Sequence, residues 1–136
     1  MFQLFVEGRG ENAAAQKLVH KIIHHFNLGD HIHFTEGRRL PNLHTSAGVQ
    51  KAIALARLDA TTQGVLIIRD CDDACPKEIA PGISAEIQAA QLPFPVGYCL
   101  MYREFESLFI AHAPEWAGTA IPHTVTGTLT FKAQFR

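Results

Sequence analysis

A short run of apolar residues, residues 64–68, constrains the fold more than any other part of the sequence. The run reads "GVLII" and is followed at once by the polar segment "RDCDD", residues 69–73. A strand without alternating polar side chains is typical of a parallel sheet that carries helices on both faces. The sequence therefore predicts a buried central strand whose carboxyl end is acidic.

The rest of the chain alternates between strand and helix patterns. Strands are expected at residues 3–6, 31–34, 64–68 and 95–102, and helices at residues 15–26, 49–56, 76–90 and 104–113. The third helix is expected to be interrupted by Pro81-Gly82, and residues 35–48 have the composition of a polar loop. This alternation predicts an α/β fold with three layers, Rossmann-like, around a mainly parallel sheet of about four strands.

The C-terminal segment has a different pattern. Residues 125–135 alternate between apolar side chains and threonine, lysine or glutamine. Such a period of two predicts a half-buried edge strand or hairpin, which could pair with a second copy of the chain in a homodimer. We expect one domain over residues 1–136, and whether the natural chain continues past Arg136 is left open.

Composition limits the classes of partner. The chain has 12 basic and 13 acidic residues and a net charge of −1. It therefore lacks the broad positive field of a dedicated nucleic-acid binder, so any such contact would be local.

No apolar run reaches the roughly 18 residues of a membrane span, and the start lacks the basic region of a signal peptide. These features, with three cysteines in no pairing pattern, predict a cytoplasmic protein with free thiols and no membrane partner.

Acidic residues follow three of the predicted strands. Glu7 follows the first strand, and Asp70 and Asp72 follow the third; Glu104 and Glu106 follow the fourth. Ligands of open parallel sheets bind beyond the carboxyl ends of the strands. If the first and third strands are neighbours, Glu7 and Asp70 could share an ion. In an extended segment, Asp70 and Asp72 would point to the same side and bind Mg²⁺ or Mn²⁺, which prefer oxygen ligands.

Arginines accompany the acidic residues. Arg9, Arg38 and Arg39 are candidates for binding phosphate oxygens through their guanidinium groups. Salt bridges to the nearby acids are the alternative. Arg69 is expected to point away from Asp70, because neighbouring residues of a strand face opposite sides.

Three segments together resemble a known family. "FVEGRGE", "IIRDCDDAC" and "YREFESLFIA" are similar, in this order, to the motifs of Toprim-like domains, and most closely to those of small prokaryotic Toprim-like proteins. The resemblance covers about residues 2–111. It implies that Glu7 acts in acid/base chemistry or metal binding and that Asp70 with Asp72 binds magnesium. Glu104 and Glu106 fit the family's later acidic position, whereas the interrupted third helix and the threonine-rich terminal strand depart from the family pattern.

The leading hypothesis is a Mg²⁺-dependent phosphodiester-cleaving enzyme, a nuclease that acts on nucleic acid. Its catalytic residues would be Glu7, Asp70, Asp72 and Glu104, and its metal ligands Glu7, Asp70, Asp72 and Glu106. The alternative is a non-catalytic module of the same fold that binds a metal or nucleotide and partners an ATPase. A third option, phosphoryl acceptance at Asp70 as in receiver domains, is disfavoured because the fourth strand does not end in lysine.

Overall fold

Four parallel strands form one sheet in the computed structural model, which describes residues 1–8, 11–29 and 31–102. The strands are β1 (Phe2–Val6), β2 (Arg38–Arg39), β3 (Gly64–Asp70) and β4 (Val96–Met101). Their order across the sheet is β2-β1-β3-β4, and each neighbouring pair is parallel. The predicted central strand is therefore confirmed, with β1 on one side and β4 on the other.

Three helices in the described part of the chain cover the two faces of the sheet. They are α1 (Glu11–His25), α2 (Ser46–Arg57) and α3 (Pro76–Ala89). Val19 of α1 lies beside Leu4 of β1, whereas α2 packs against the opposite face, which bears Phe5 and Ile67. Ile87 of α3 packs on the same core as α2. The chain thus has the predicted three-layer, Rossmann-like α/β fold.

The main core lies between the sheet and α2. Phe5 and Ile67 are fully buried at its centre. One face of α2 meets them with the side chains of Val49, Ala52, Ile53 and Ala56. These residues recur at spacings of three and four, so they form one apolar stripe along the helix. The same stripe in the sequence predicted α2.

The second strand does not lie where the sequence predicted it. Residues 31–34 contribute only a single parallel bridge, between Phe34 and Phe2, and β2 forms at Arg38–Arg39, inside the predicted polar loop. Residues 33–40 run along the free edge of β1 and exchange backbone hydrogen bonds with it at both ends. Both arginines of β2 are exposed, so no apolar pattern marks this strand, and its pairing depends on the backbone of β1.

The predicted interruption of the third helix is also wrong. Helix α3 continues from Pro76 to Ala89 with Pro81 inside it. Pro76 occupies the first turn, where a missing N–H is tolerated. Pro81 and Lys77 are exposed, so water can solvate the Lys77 carbonyl that loses its usual helical donor. Packing of Ile87 against the core also stabilises the continuous helix.

Two predicted elements, the helix at residues 104–113 and the terminal strand at residues 125–135, lie outside the described residues. The single-domain prediction for residues 1–136 includes them and stays a prediction. Within the described ranges, no helix combines the length and the apolar character needed to cross a membrane.

Replacing Phe5 by alanine should lower the free energy of unfolding by about 3–5 kcal/mol, because the side chain is fully buried between the sheet and α2. The matched control is Phe26→Ala, since 63% of Phe26 is exposed, and this change should cost less than about 1 kcal/mol. Urea unfolding followed by circular dichroism measures both. Equal losses in the two variants would contradict this assignment of the core.

Candidate functional site at the carboxyl edge of the sheet

The carboxyl ends of β1 and β3 meet at the centre of one sheet edge. The two strands are hydrogen-bonded neighbours, and Val6 pairs with Ile68. After β1 the chain enters α1 on one face, whereas after β3 it enters α3 on the other. Such a divergence is the point at which open α/β sheets form a ligand-binding crevice. Glu7 directly follows β1, and Asp70 ends β3.

The side chains at this edge divide between the two faces of the sheet. Arg69 follows Ile67 by two residues, so it lies on the side that α2 covers. Asp70 pairs with Met101 on the opposite side. Arg69 and Asp70 therefore point to opposite faces of the sheet, as predicted for neighbouring residues of a regular strand.

Glu7 lies on the α2 side. One of its carboxylate oxygens is 2.6 Å from Nδ1 of His44, a residue in the connection between β2 and α2. Glu7 and Asp70 thus leave adjacent strands toward different faces, and a shared ion would have to bridge the edge between them. The shared-ion hypothesis stays a prediction.

The Glu7–His44 pair combines a partly buried carboxylate with an accessible imidazole. The Glu7 side chain is 22% exposed and that of His44 is 52% exposed. Nε of Arg39 donates to the backbone carbonyl of Glu7 at 3.2 Å, which ties β2 to the same turn. A neutral imidazole that donates through Nδ1 to a carboxylate presents Nε2 as a proton acceptor. The pair can therefore transfer protons at the edge of the sheet.

The start of α2 fixes the position of His44. Thr45 is the N-cap, and its hydroxyl accepts from the backbone N–H of Gly48 at 3.1 Å and donates to the carbonyl of Asn42 at 2.8 Å. Gly48 approaches that carbonyl so closely that a Cβ atom would collide with it. This packing holds the turn containing His44 against the first turn of α2.

Tyr98 and Arg69 lie near the Glu7–His44 pair, on the same side of the sheet. The Tyr98 hydroxyl donates to the carbonyl of Leu43 at 2.8 Å and lies beside the Arg69 guanidinium. Arg69 is 4% exposed, and its Nε has no hydrogen-bond partner among the described residues. Burial raises the pKa of Tyr98 to about 12; the charge of Arg69 opposes this rise and that of Glu7 adds to it.

Asp70 and Asp72 are not aligned by an extended segment, so this part of the prediction is wrong. Strand β3 ends at Asp70, and Asp72 has a φ of 49°, in the left-handed region. Asn and Asp enter that region more readily than most residues, which suits a turn after a strand. Asp72 and Asp73 are both exposed. The metal-binding role of Asp72 stays a prediction, and Asp73 is not among the predicted ligands.

Cys71 lies between these acids but is buried. Burial is the largest cause that raises the pKa of its thiol, and the charges of Asp70 and Asp72 add smaller contributions. Cys71 is therefore a poor nucleophile, because its thiol is enclosed and its raised pKa disfavours the thiolate.

The remaining predicted site residues fall into two groups. Arg38 and Arg39 are exposed on β2, and only Arg39 has a hydrogen bond to the turn that carries Glu7. Arg9, Glu104 and Glu106 lie outside the described residues. In the part of the chain that the structure describes, no three histidine, cysteine, aspartate or glutamate side chains converge as a metal-binding group.

His44 and Tyr98 were not predicted from the sequence. Neither belongs to a motif, but the strand order offered a signal for His44. Once β2 is placed beside β1, the connection that follows it must pass the end of β1, so its polar side chains come close to Glu7.

Comparison with protein-family models, curated proteins and solved structures finds no match to this chain.

The elevated pKa of Tyr98 predicts how stability depends on pH. The folded protein keeps the phenol protonated to about pH 12, whereas the ordinary value is 10.0. Tyr98 should therefore contribute its full stabilisation below about pH 10, and this contribution should be lost as the pH rises toward 12.

The variant Tyr102→Phe leaves Tyr98 as the only tyrosine of the 2 in the chain. Its absorbance can then be titrated directly in the folded protein and in urea. We expect a higher midpoint in the folded state. Equal midpoints in the two states would contradict the enclosed position of Tyr98.

Proposed function

We propose that the protein is a Mg²⁺-dependent phosphodiester-cleaving enzyme, a nuclease of the Toprim-like type. The observation that carries the proposal is the pairing of β1 with β3, in register at Val6 and Ile68. Because of this pairing, Glu7 and Asp70 stand at the carboxyl ends of adjacent strands, where the chain diverges to opposite faces. The resemblance of the three acidic motifs to Toprim-like domains supplies the reaction class.

The donor atoms at this edge suit a hard divalent cation. Magnesium is usually bound by one or two carboxylates, and its remaining positions are filled by water and phosphate oxygens. The Asp70 carboxylate, with Asp72 in the turn that follows, would hold the ion, and Glu104 or Glu106 would complete the set. A bound Mg²⁺ or Mn²⁺ would neutralise charge on the phosphate group.

Glu7 and His44 would carry out the proton transfer. The imidazole is accessible enough to meet a water molecule, and the carboxylate 2.6 Å away orients it. Nε2 of His44 would accept a proton from the attacking water, and Glu7 would stabilise the imidazolium that forms. Glu7 thus takes the acid/base role rather than a ligand role in this proposal.

Arg38 and Arg39 would make the local contact with nucleic acid. Both are exposed on β2, one strand away from Glu7. With a net charge of −1 on the whole chain, these two side chains form a local basic patch rather than a broad positive field. The homodimer and the ATPase partner inferred from the sequence depend on the terminal strand, which lies outside the described residues.

The test compares Asp70→Asn and Glu7→Gln with Asp73→Asn, a matched control in the same motif. The substrates are single- and double-stranded DNA and RNA, each with Mg²⁺ or Mn²⁺. We expect each of the first two changes to reduce cleavage by at least about 100-fold, the usual effect of losing an acid/base group or metal ligand. Asp73→Asn should retain activity within about twofold, because its side chain is solvated.

Cleavage that survives in the double variant Glu7→Gln with Asp70→Asn would refute the proposal. Calorimetric titration with Mg²⁺ provides the second measurement. Binding of Mg²⁺ without cleavage of any of the four substrates would identify the non-catalytic module instead.

A further inference from the structure

Arg69 is a buried cation that has no role in the proposed acid/base chemistry or metal binding. It is 4% exposed, and it belongs to β3 one residue before Asp70. In the described ranges its guanidinium forms no salt bridge, and its buried Nε lacks a hydrogen-bond partner. A charged group in this state has lost water without gaining an ionic partner.

The energetic cost of that state is large. Burying a charge is unfavourable unless the charge is paired and hydrogen-bonded. The nearest groups provide only part of this compensation. The Tyr98 hydroxyl donates its proton to the carbonyl of Leu43, and its oxygen can accept from Arg69, but the group is neutral. One oxygen of the Glu7 carboxylate is engaged by His44. Asp70 faces the opposite side of the sheet.

An anion that enters from the carboxyl edge would supply the negative charge and the hydrogen-bond acceptor that Nε of Arg69 lacks. Arg69 is the last residue of β3 on the α2 side, so it lies next to the carboxyl edge of the sheet. Its planar guanidinium can donate two parallel hydrogen bonds, which match a phosphate or carboxylate. The Glu7–His44 pair lies on the same side of the sheet, so an anion bound there would be next to the proton-transfer group.

We propose that Arg69 binds a phosphate group at the carboxyl edge, on the α2 side of the sheet. The assignment of this phosphate to the substrate's backbone rests on the proposed function; the anion site itself does not. In the full reaction Arg69 would position the phosphodiester beside His44, while Asp70 lies across the edge. Arg69 would thereby be the phosphate-binding arginine closest in sequence to the predicted metal ligands.

Phosphate binding can be measured without any catalysis. Inorganic phosphate is titrated into the full chain in the presence of EDTA, with sodium chloride at equal ionic strength as the reference. The Arg69 Nε–H signal is followed by ¹⁵N–¹H correlation spectroscopy in the wild-type protein, because a buried N–H exchanges slowly with water. We expect a saturable shift of this signal with phosphate and none with chloride.

Two matched variants extend the measurement. Arg69→Lys keeps the charge but removes the planar fork, and we expect it to weaken phosphate binding by about tenfold or more. Arg57→Lys is the control, since Arg57 is exposed on α2 and, among the described residues, donates only to the carbonyl of Ala90. It should bind phosphate as the wild type does. If Arg69→Lys does not fold, the wild-type Arg69 signal still decides the outcome.

An Arg69 signal that does not move with phosphate, or equal affinity in Arg69→Lys and wild type, would overturn the anion site. This failure is distinguishable from failure of the proposed function. A chain that binds phosphate at Arg69 in EDTA but cleaves no nucleic acid supports the anion site and refutes the nuclease. A chain that cleaves nucleic acid without a phosphate response at Arg69 refutes the anion site alone.

Discussion

The parallel pairing of β1 with β3 is the interaction on which the rest of the structure depends. It joins the two most buried strands over five registered residue pairs, from Phe2 with Gly64 to Val6 with Ile68. The pairing builds the face that α2 covers, because Phe5 and Ile67 come from adjacent strands. It also brings Glu7 and Asp70 to one edge. Loss of this register would remove the core and the candidate site together.

The electrostatics of the edge follow from how the strands end. Alternation along β3 sends Arg69 inward beneath α2 and Asp70 to the other face. The acidic and basic residues of the motif are thereby separated although they are neighbours in the sequence. A buried guanidinium and an oriented carboxylate–imidazole pair then share one side of the sheet. The proposed phosphate site rests on this arrangement.

The sequence predicted the features that depend on local patterns, and it missed those that depend on pairing. The apolar run of β3 and the apolar stripe on α2 identify their elements, because buried positions in these elements are apolar in the sequence. Strand β2 has no such pattern, since its two arginines are exposed and its hydrogen bonds are backbone bonds. His44 was missed for the same reason. The left-handed turn at Asp72 was missed because two acids at alternate positions suit a strand and a turn equally.

The central claim is that the carboxyl edge between β1 and β3 binds a divalent cation through Asp70. Diffraction from crystals of the full chain soaked in Mn²⁺ tests it most directly, because manganese can be located by its anomalous scattering. We expect a peak within coordination distance of the Asp70 carboxylate, and no such peak in crystals of Asp70→Asn. A well-occupied manganese ion elsewhere on the molecule, with no peak at Asp70, would contradict it.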